Sequence, residues 1–355
     1  MTLVLREQVP LAPFTTLGLG GPARYFYECT TEAELGEALT WARERRLRVQ
    51  IMGGGSNLVV ADAGFPGLVL KLAIGGVAPR ETTQGVEVTA AAGVEWDALV
   101  RQAVEQGWTG IECLSGIPGT VGATPIQNVG AYGQEIADTL VSVRCLERDG
   151  LTQVVFPRDQ CEFVYRGSRF KSRDHDRYIV LDITLRLHRD TLPQLRYAEL
   201  AQAVRQHGEL DRLAPADAVS VVRTTVLELR RRKSMVLDPT DPNGRSVGSF
   251  FVNPVLSADA FDHLVRRWRA AGEGDGIPTF PADGRVKVPA AWLIEHAGFG
   301  KGYHRGGVGI STRHALALVN HGGTAAELLA LAQAIERAVY ERFGVRLERE
   351  PVVVE

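Results

Sequence analysis

The chain has 355 residues, of which 45% are hydrophobic and 23% charged, a composition typical of globular proteins. A chain of this length usually exceeds one hydrophobic core, so we expect two or three domains. The formal net charge of −2 at pH 7 produces no field that would attract nucleic acid or an anionic membrane, and we expect neither as a partner.

Periodicity predicts a mixed fold. One predicted helix begins at the capping-box pair Thr31 and Glu34, and two more cover residues 94–106 and 216–233. A fourth begins at the capping-box pair Thr324 and Glu327 and ends at Gly344. Runs rich in Val, Ile and Leu predict strands at 48–52, 67–72, 85–91, 141–147, 153–156 and 178–187. Strands prevail between residues 65 and 190 and helices near the C-terminus, which predicts the α+β class. Residues 238–244 predict a turn-rich break, suited to a mobile loop.

The cysteine and hydropathy patterns indicate a cytoplasmic protein. Four cysteines (Cys29, Cys113, Cys145 and Cys161) are few, and none has the CxxC spacing of a zinc or redox motif. The N-terminus lacks the apolar run of a signal peptide, and no stretch approaches 18 uncharged apolar residues. The histidines show no ligand-like spacing, so we expect no metal site. A monomer is the default expectation.

A first Gly-rich loop follows a short apolar strand and consists of Gly53, Gly54, Gly55, Ser56 and Asn57. Glycines permit close backbone approach to a ligand, and successive N–H groups can bind phosphate oxygens. The loop is not a Walker motif, because no Gly-Lys-Ser/Thr follows, and Leu58 stands where the dinucleotide fingerprint requires Gly or Ala. A tight turn without a ligand is the alternative.

A second Gly-rich loop spans residues 115–122 and continues to residue 133. Its five glycines and two prolines in 19 residues predict an irregular segment, and a loop this long inside a compact domain is usually functional. The alternative is a Gly-rich crossover packed under a sheet. Two such loops in one chain favour a diphosphate-binding site.

Several motifs occur in one order along the chain. They are Thr15 to Arg24, the first Gly-rich loop, Ile117 to Gly122 with Pro125 to Gly133, Tyr165-Arg-Gly-Ser-Arg-Phe-Lys171, Gly248-Ser-Phe-Phe-Val-Asn-Pro254 and Phe343 to Glu350. Together they resemble the UDP-N-acetylenolpyruvoylglucosamine reductase family, flavoenzymes that complete UDP-N-acetylmuramate synthesis for peptidoglycan. The resemblance extends from about residue 12 to residue 351.

The resemblance implies a fold, a cofactor and a co-substrate. A pair of FAD-binding domains of the vanillyl-alcohol oxidase (PCMH-type) superfamily would cover residues 1–65 and 66–210, and a substrate-binding α+β domain would cover 211–355. FAD would be held non-covalently, and NADPH would supply hydride. No His precedes His175, which excludes a histidyl link from either loop; a thioether from Cys113, close to the second loop, is the alternative. The implied FAD contacts are Gly53, Gly54, Gly55, Ser56, Asn57, Ser115, Gly116, Ile117, Pro118, Gly119, Gly122, Asn128, Gly130, Ala131 and Tyr132.

The resemblance also implies three catalytic residues, and their chemistry suits the reaction. Reduction of an enolpyruvyl ether builds negative charge on the carboxylate, which the permanent charge of Arg166 can meet. Ser249 matches the family's proton donor to carbon. Glu350 matches the remaining position and would assist the enolate or reprotonate the serine; Glu348 is the competing choice, and the spacing from Phe343 favours Glu350.

For the UDP moiety of the substrate, the resemblance points to Tyr197, Lys233 and Asn253. His314 stands where the family's longer type has Gln, so the uridine contact departs from the pattern. Lys233 ends a basic run that could face a diphosphate, whereas for Arg230, Arg231 and Arg232 we expect a solvated helix end favoured by the helix dipole.

Two other functions remain open from the sequence. One is another FAD-linked oxidase of the same superfamily, which would consume oxygen without NADPH. The other is a non-enzymatic nucleotide-sugar binding protein, which would be colourless when purified.

Overall fold

The structure, a computed structural model, describes residues 3–272, 274, 276–282 and 284–355. The chain divides into two compact units. The first contains the described residues up to Val9 together with Ala23–Gly55 and Pro66–Leu237, and the second contains Pro10–Pro22, Ser56–Phe65 and Asp238–Glu355. Helices and strands are mixed in both units, which confirms the α+β prediction. The three-domain division stays a prediction.

The α-helices lie where apolar residues recur every three or four positions. In chain order they are α1 (Glu32–Glu44), α2 (Trp96–Glu105), α3 (Ile136–Thr139), α4 (Ala198–Arg205), α5 (Pro215–Arg232), α6 (Ala258–Ala270), α7 (Ala290–His296) and α8 (Ala325–Phe343). The predicted helices correspond to α1, α2, α5 and α8, and both predicted capping boxes are formed. No described helix is long and apolar enough to cross a membrane.

The strands are short, and most pair in antiparallel fashion. In chain order they are β1 (Arg6–Pro10), β2 (Pro22–Cys29), β3 (Val49–Met52), β4 (Leu58–Val60), β5 (Phe65–Leu72), β6 (Val77–Thr82), β7 (Gly85–Ala91), β8 (Gly130–Ala131), β9 (Gln134–Glu135), β10 (Leu140–Glu147), β11 (Gln153–Pro157), β12 (Tyr178–Leu187), β13 (Ser246–Ser249), β14 (Val255–Leu256), β15 (Phe280–Ala282), β16 (Arg285–Lys287), β17 (His304–Arg305), β18 (Val308–Ile310), β19 (Ala317–Asn320) and β20 (Val352–Val354). The predicted strands correspond to β3, β5, β7, β10, β11 and β12.

Two sheets organise the first unit. One has the strand order β1-β2-β5-β3, with β3 and β5 parallel, and the other has the order β11-β10-β12-β7-β6. Side chains of β7 alternate between buried and half-buried, as expected of a strand with one face in a core. The apolar face of α2 belongs to the core that contains this face of β7. Helix α5 packs on α4 and on the 3-10 helix Glu112–Leu114, which leads directly into the second Gly-rich loop.

The second unit is assembled from three separated stretches of chain. Its main sheet has the order β13-β19-β18-β17, and β20 pairs in parallel with β4. Its core combines Leu17 and Val59 from the early stretches with Phe250, Phe251 and Phe343 from the last. The hydrophobic core of this unit is therefore completed by residues far apart in sequence.

The segment predicted as a mobile break is a series of hydrogen-bonded turns. Asn243 is buried, and its side chain bonds to both Asp241 and Thr312. Asn243 therefore ties the turns to the segment that follows β18.

Asp62 caps helix α8 from a remote part of the chain. Its carboxylate accepts the N–H groups of Ala325 at 2.8 Å and Ala326 at 2.9 Å. These are N–H groups of the first helical turn, which have no acceptor inside the helix.

We expect Asp62→Ala to lower the free energy of unfolding of the second unit by about 1–2 kcal/mol, because two helix N–H groups lose their acceptor. Urea unfolding followed by circular dichroism measures this change. Glu341→Ala, which removes an exposed carboxylate from the other end of the same helix, is the control and should change stability by less than about 0.5 kcal/mol. Equal effects of the two substitutions would contradict the capping role.

Candidate functional site

The two Gly-rich loops approach each other backbone to backbone within the first unit. A Cβ atom on Gly54 would lie 2.9 Å from the Cα of Gly119, and one on Gly53 would collide with the hydroxyl of Thr120. Gly54 is itself exposed. The contact between the loops therefore requires glycine at residue 54, where the neighbouring atoms are main chain, whereas a side chain at residue 53 would displace the Thr120 hydroxyl.

The second loop is clamped at Gly116, which has φ of 72°. The Gly116 N–H donates to Asp97 at 2.6 Å, and its carbonyl accepts from Arg230 at 3.2 Å. Asp97 also binds Arg223 through both carboxylate oxygens, at 2.7 and 2.8 Å. Burial alone would raise the pKa of Asp97, but the bonds from Arg223 and Gly116 lower it, so the clamp is ionised at neutral pH.

The prediction that this segment contains no regular structure is wrong in detail. A 3-10 helix covers Val121–Ala123, and β8 and β9 form a two-residue hairpin. The chain reverses between β8 and β9 at Tyr132 and Gly133, whose φ angles of 49° and 83° are both positive. At Gly122 a Cβ would collide with Ala92, so this glycine serves packing.

Asn128 connects the segments around the hairpin. It is buried in the left-handed region with φ of 47°. Its side-chain NH₂ donates to Glu135 at 2.7 Å and to the Val164 carbonyl at 3.2 Å, and its side-chain oxygen accepts the Ala137 N–H at 3.1 Å. These contacts position the hairpin that carries Gly130, Ala131 and Tyr132.

Arg166 lies at the tip of a tight turn in which Val164 and Gly167 exchange two main-chain hydrogen bonds. Its φ is 54°, a conformation that non-glycine residues adopt rarely and often at functional sites. The guanidinium donates to the Gly130 carbonyl at 2.8 Å, and Lys171 donates to the Arg166 carbonyl at 3.1 Å. Arg166 is therefore held against the hairpin formed by β8 and β9.

Three of the residues implied to contact cofactor or substrate gather beside α5. The rings of Tyr132 and Tyr197 meet edge to face with centroids 5.6 Å apart, and the Lys233 ammonium lies 5.7 Å from the Tyr132 centroid. Lys233 also donates to Glu199 at 2.7 Å. Burial raises the pKa of Tyr132 to about 12, so its hydroxyl stays protonated. The cluster has one exposed face, since Tyr197 is 41% exposed.

The expectation of a solvated end for α5 is wrong for Arg230. Arg231 and Arg232 are exposed, but the Arg230 side chain turns inward and donates to the carbonyls of Gly116 and Met235. The signal was present in the sequence, because residue 230 is four positions after the buried Val226 and so shares its helix face.

In the second unit, Ser249 and Glu350 lie on adjacent hydrogen-bonded segments. Glu350 N–H donates to the Phe250 carbonyl at 2.9 Å, and Asn57 donates through its side chain to the Glu350 carbonyl at 3.2 Å. Ser249 ends β13 after Gly248, whose φ of 75° permits the change in register there. Glu350 is half-buried whereas Glu348 is exposed, which favours Glu350 over its competitor.

Asn253 and His314 have local structural contacts in the second unit. Asn253 accepts the Ala290 N–H at 2.8 Å and so caps α7. His314 lies in a turn whose N–H groups bond to the Ser311 hydroxyl.

Among the implied catalytic residues, Arg166 belongs to the first unit, and Ser249 and Glu350 belong to the second. The described residues contain no group of three or more His, Cys, Asp and Glu side chains arranged to hold a metal.

Comparisons with known proteins match both parts of the chain. Residues 23–155 match the FAD binding domain model, and residues 238–354 match the model of the C-terminal domain of UDP-N-acetylenolpyruvoylglucosamine reductase. The UDP-N-acetylenolpyruvoylglucosamine reductase of Thermobifida fusca (strain YX) is 48% identical over 100% of this chain and 99% of its own length. That of Mycobacterium tuberculosis (strain ATCC 25177 / H37Ra) is 44% identical over 99% and 95%.

A solved structure agrees with these sequence relatives. The UDP-N-acetylenolpyruvylglucosamine reductase of Thermus caldophilus superposes with a TM-score of 0.66 at 26% identity, covering 99% of this chain and 100% of that one. An FAD-binding domain followed by the reductase C-terminal domain is thus confirmed in the predicted order. The chain belongs to the UDP-N-acetylenolpyruvoylglucosamine reductase family.

Proposed function

We propose that this chain reduces the enolpyruvyl group of UDP-N-acetyl-3-O-(1-carboxyvinyl)glucosamine to give UDP-N-acetylmuramate for peptidoglycan, with FAD as cofactor and NADPH as hydride source. The observation that carries the proposal is the hydrogen-bonded pairing of the Ser249 and Glu350 segments inside the C-terminal domain typical of this family. A proton donor and a carboxylate on adjacent segments suit the protonation of a carbon next to a carboxylate.

The residues present fit FAD. The contact of Gly54 with Gly119 leaves two stretches of main chain without side chains between them, as a dinucleotide's diphosphate requires. Gly53, Gly54, Gly55, Ser56 and Asn57 on one side, and residues 115–122 and 128–132 on the other, would hold it. Attachment would be non-covalent: burial raises the pKa of the Cys113 thiol, so this cysteine is a poor nucleophile.

When bound, FAD would supply the hydride chemistry that links NADPH to the vinyl carbon of the substrate. The chain's own residues must then meet the charge that develops on the substrate carboxylate. We assign that task to Arg166, whose guanidinium is permanently charged and fixed in orientation by the Gly130 carbonyl. The cost of its left-handed conformation is consistent with a preorganised catalytic group.

Ser249 would donate the proton to the α carbon, and Glu350 would assist the enolate or reprotonate the serine. A serine hydroxyl is a weak acid, so it can act only in a polarised and dry surrounding. The aromatic side chains of Phe250 and Phe251 that follow Ser249 are both buried, which supplies part of that surrounding.

For the UDP moiety we propose Tyr197 and Lys233, together with Asn253 and His314. Tyr197, on the exposed face of the Tyr132–Tyr197 cluster, could stack on the substrate or cover it with its aromatic ring. The Lys233 ammonium could bind a phosphate of the substrate if it released its hydrogen bond to Glu199. We further propose that the enzyme acts as a cytoplasmic monomer with three domains, divided near residues 65 and 210.

We expect Ser249→Ala to leave the reduction of bound flavin by NADPH within about twofold of wild type, while reoxidation by the enolpyruvyl substrate slows by about 10²–10⁴-fold, the usual contribution of a general acid. Anaerobic stopped-flow absorbance separates the two half-reactions. Ser220→Ala, on the exposed side of α5, is the control and should affect neither. Loss of both half-reactions in Ser249→Ala would mean that the serine is structural.

We expect Gly54→Ala to weaken FAD binding at least about tenfold, because the new methyl group forces Gly119 away by several tenths of an ångström and a loss of about 1.4 kcal/mol suffices for that factor. Titration of apoprotein by flavin fluorescence quenching measures the affinity. Gly36→Ala in α1 adds the same methyl group where nothing lies within 4 Å and should leave FAD binding unchanged. Unaltered affinity in Gly54→Ala would exclude the first loop from the cofactor site.

A further inference from the structure

Glu112 is a buried carboxyl group that the proposed reaction does not use. Its side chain is 1% exposed and belongs to the 3-10 helix that leads into the second Gly-rich loop. None of the described lysines, arginines and histidines forms an ion pair with it. Burial raises the pKa of Glu112, and hydrogen bonds from neighbouring N–H groups oppose that rise. Hydrogen bonds alone therefore stabilise this enclosed group.

Three hydrogen bonds in series connect Glu112 with Gln134. The Gly110 N–H donates to Oε2 of Glu112 at 2.6 Å, and the side-chain NH₂ of Gln134 donates to Oε1 at 2.9 Å. The side-chain oxygen of Gln134 accepts the Cys113 N–H at 2.8 Å. Both ends of the series are main-chain N–H groups, which can only donate. Glu112 must therefore accept through both oxygens, and the Gln134 amide has one permitted orientation.

The series continues into the hairpin formed by β8 and β9. Gln134 lies in β9 and is itself buried, and the next residue, Glu135, pairs with Gly130 of β8. The Gly130 carbonyl accepts a hydrogen bond from the Arg166 guanidinium at 2.8 Å. A short path through the hairpin therefore connects Glu112 with the residue proposed to meet the developing charge on the substrate.

We propose that Glu112, acting through Gln134 and the β8–β9 hairpin, is a positioning residue for the Arg166 guanidinium. This inference rests on the proposed function, because it requires that Arg166 bind the carboxylate of the substrate. Bidentate binding of a carboxylate depends on the orientation of the guanidinium, and a displacement of about 1 Å can slow a reaction about a hundredfold. The implied FAD contacts are spread over three segments, so a shift of the hairpin alone disturbs them less.

The test uses substitutions that keep side-chain size and exchange only donors and acceptors. In Glu112→Gln, no orientation of the two side-chain amides avoids a contact between two donors. The double variant Glu112→Gln/Gln134→Glu reverses the middle hydrogen bond, so all three bonds can form again. Glu105→Gln removes a negative charge from an exposed position of α2 and is the control.

We expect Glu112→Gln to slow reoxidation of the reduced flavin by the enolpyruvyl substrate about 10–100-fold, while reduction of bound flavin by NADPH stays within about threefold of wild type. The double variant should restore reoxidation to within about threefold, and Glu105→Gln should change neither step. In protein that already carries Arg166→Ala, Glu112→Gln should add less than about twofold, because its effect passes through Arg166. Anaerobic stopped-flow absorbance at saturating FAD measures both half-reactions.

Three results would overturn the inference. Equal slowing of both half-reactions in Glu112→Gln would mean that the residue serves the flavin or the fold. A double variant that fails to fold, or that reoxidises slowly, would mean that the pattern of donors and acceptors is not the cause, and this result does not depend on the folding of Glu112→Gln. An undiminished effect beside Arg166→Ala would mean that the path bypasses Arg166. If the substrate did not reoxidise the wild-type flavin, the proposed function itself would fail, and the inference with it.

Discussion

The contact between Gly54 and Gly119 is the constraint on which the first unit depends. Two loops about 60 residues apart in sequence meet without an intervening side chain. The clamp on Gly116 by Asp97 and Arg230 holds the second loop from behind. The two loops therefore present main chain, free of side chains, where they meet.

In the second unit, the corresponding constraint is the position of the segment that carries the Ser249 hydroxyl relative to the segment that carries the Glu350 carboxylate. Main-chain pairing sets this position: the Glu350 N–H donates to the Phe250 carbonyl and the Val252 N–H donates to the Glu348 carbonyl, which aligns the segments that carry the two side chains. Arg349, the neighbour of Glu350, donates from its guanidinium to both carboxylate oxygens of Glu336 in α8, at 2.5 and 2.8 Å. The main chain at the two proposed catalytic positions is thus anchored by hydrogen bonds on both segments.

Much of this arrangement could be predicted from the chain because local rules determine it. Capping boxes located α1 and α8, and periodicity located α2 and α5. The strands that were missed, such as β2 and β13, lie in stretches whose pairing partners are remote, so tertiary contacts outweigh local propensity there. Arg230 was misjudged because a charged residue at a helix end is usually solvated. The catalytic roles of Arg166, Ser249 and Glu350 came from the resemblance to a family and stay predictions.

The order of the stretches that build the second unit has a consequence during synthesis of the chain. Leu17 and Val59 leave the ribosome early, but the core that buries them is completed by Phe343 in the last turn of α8. Until some 280 further residues have emerged after Val59, these apolar side chains lack their native neighbours. The first unit ends at Leu237 and contains both of its sheets, so its strands can pair before the last helix of the second unit is synthesised.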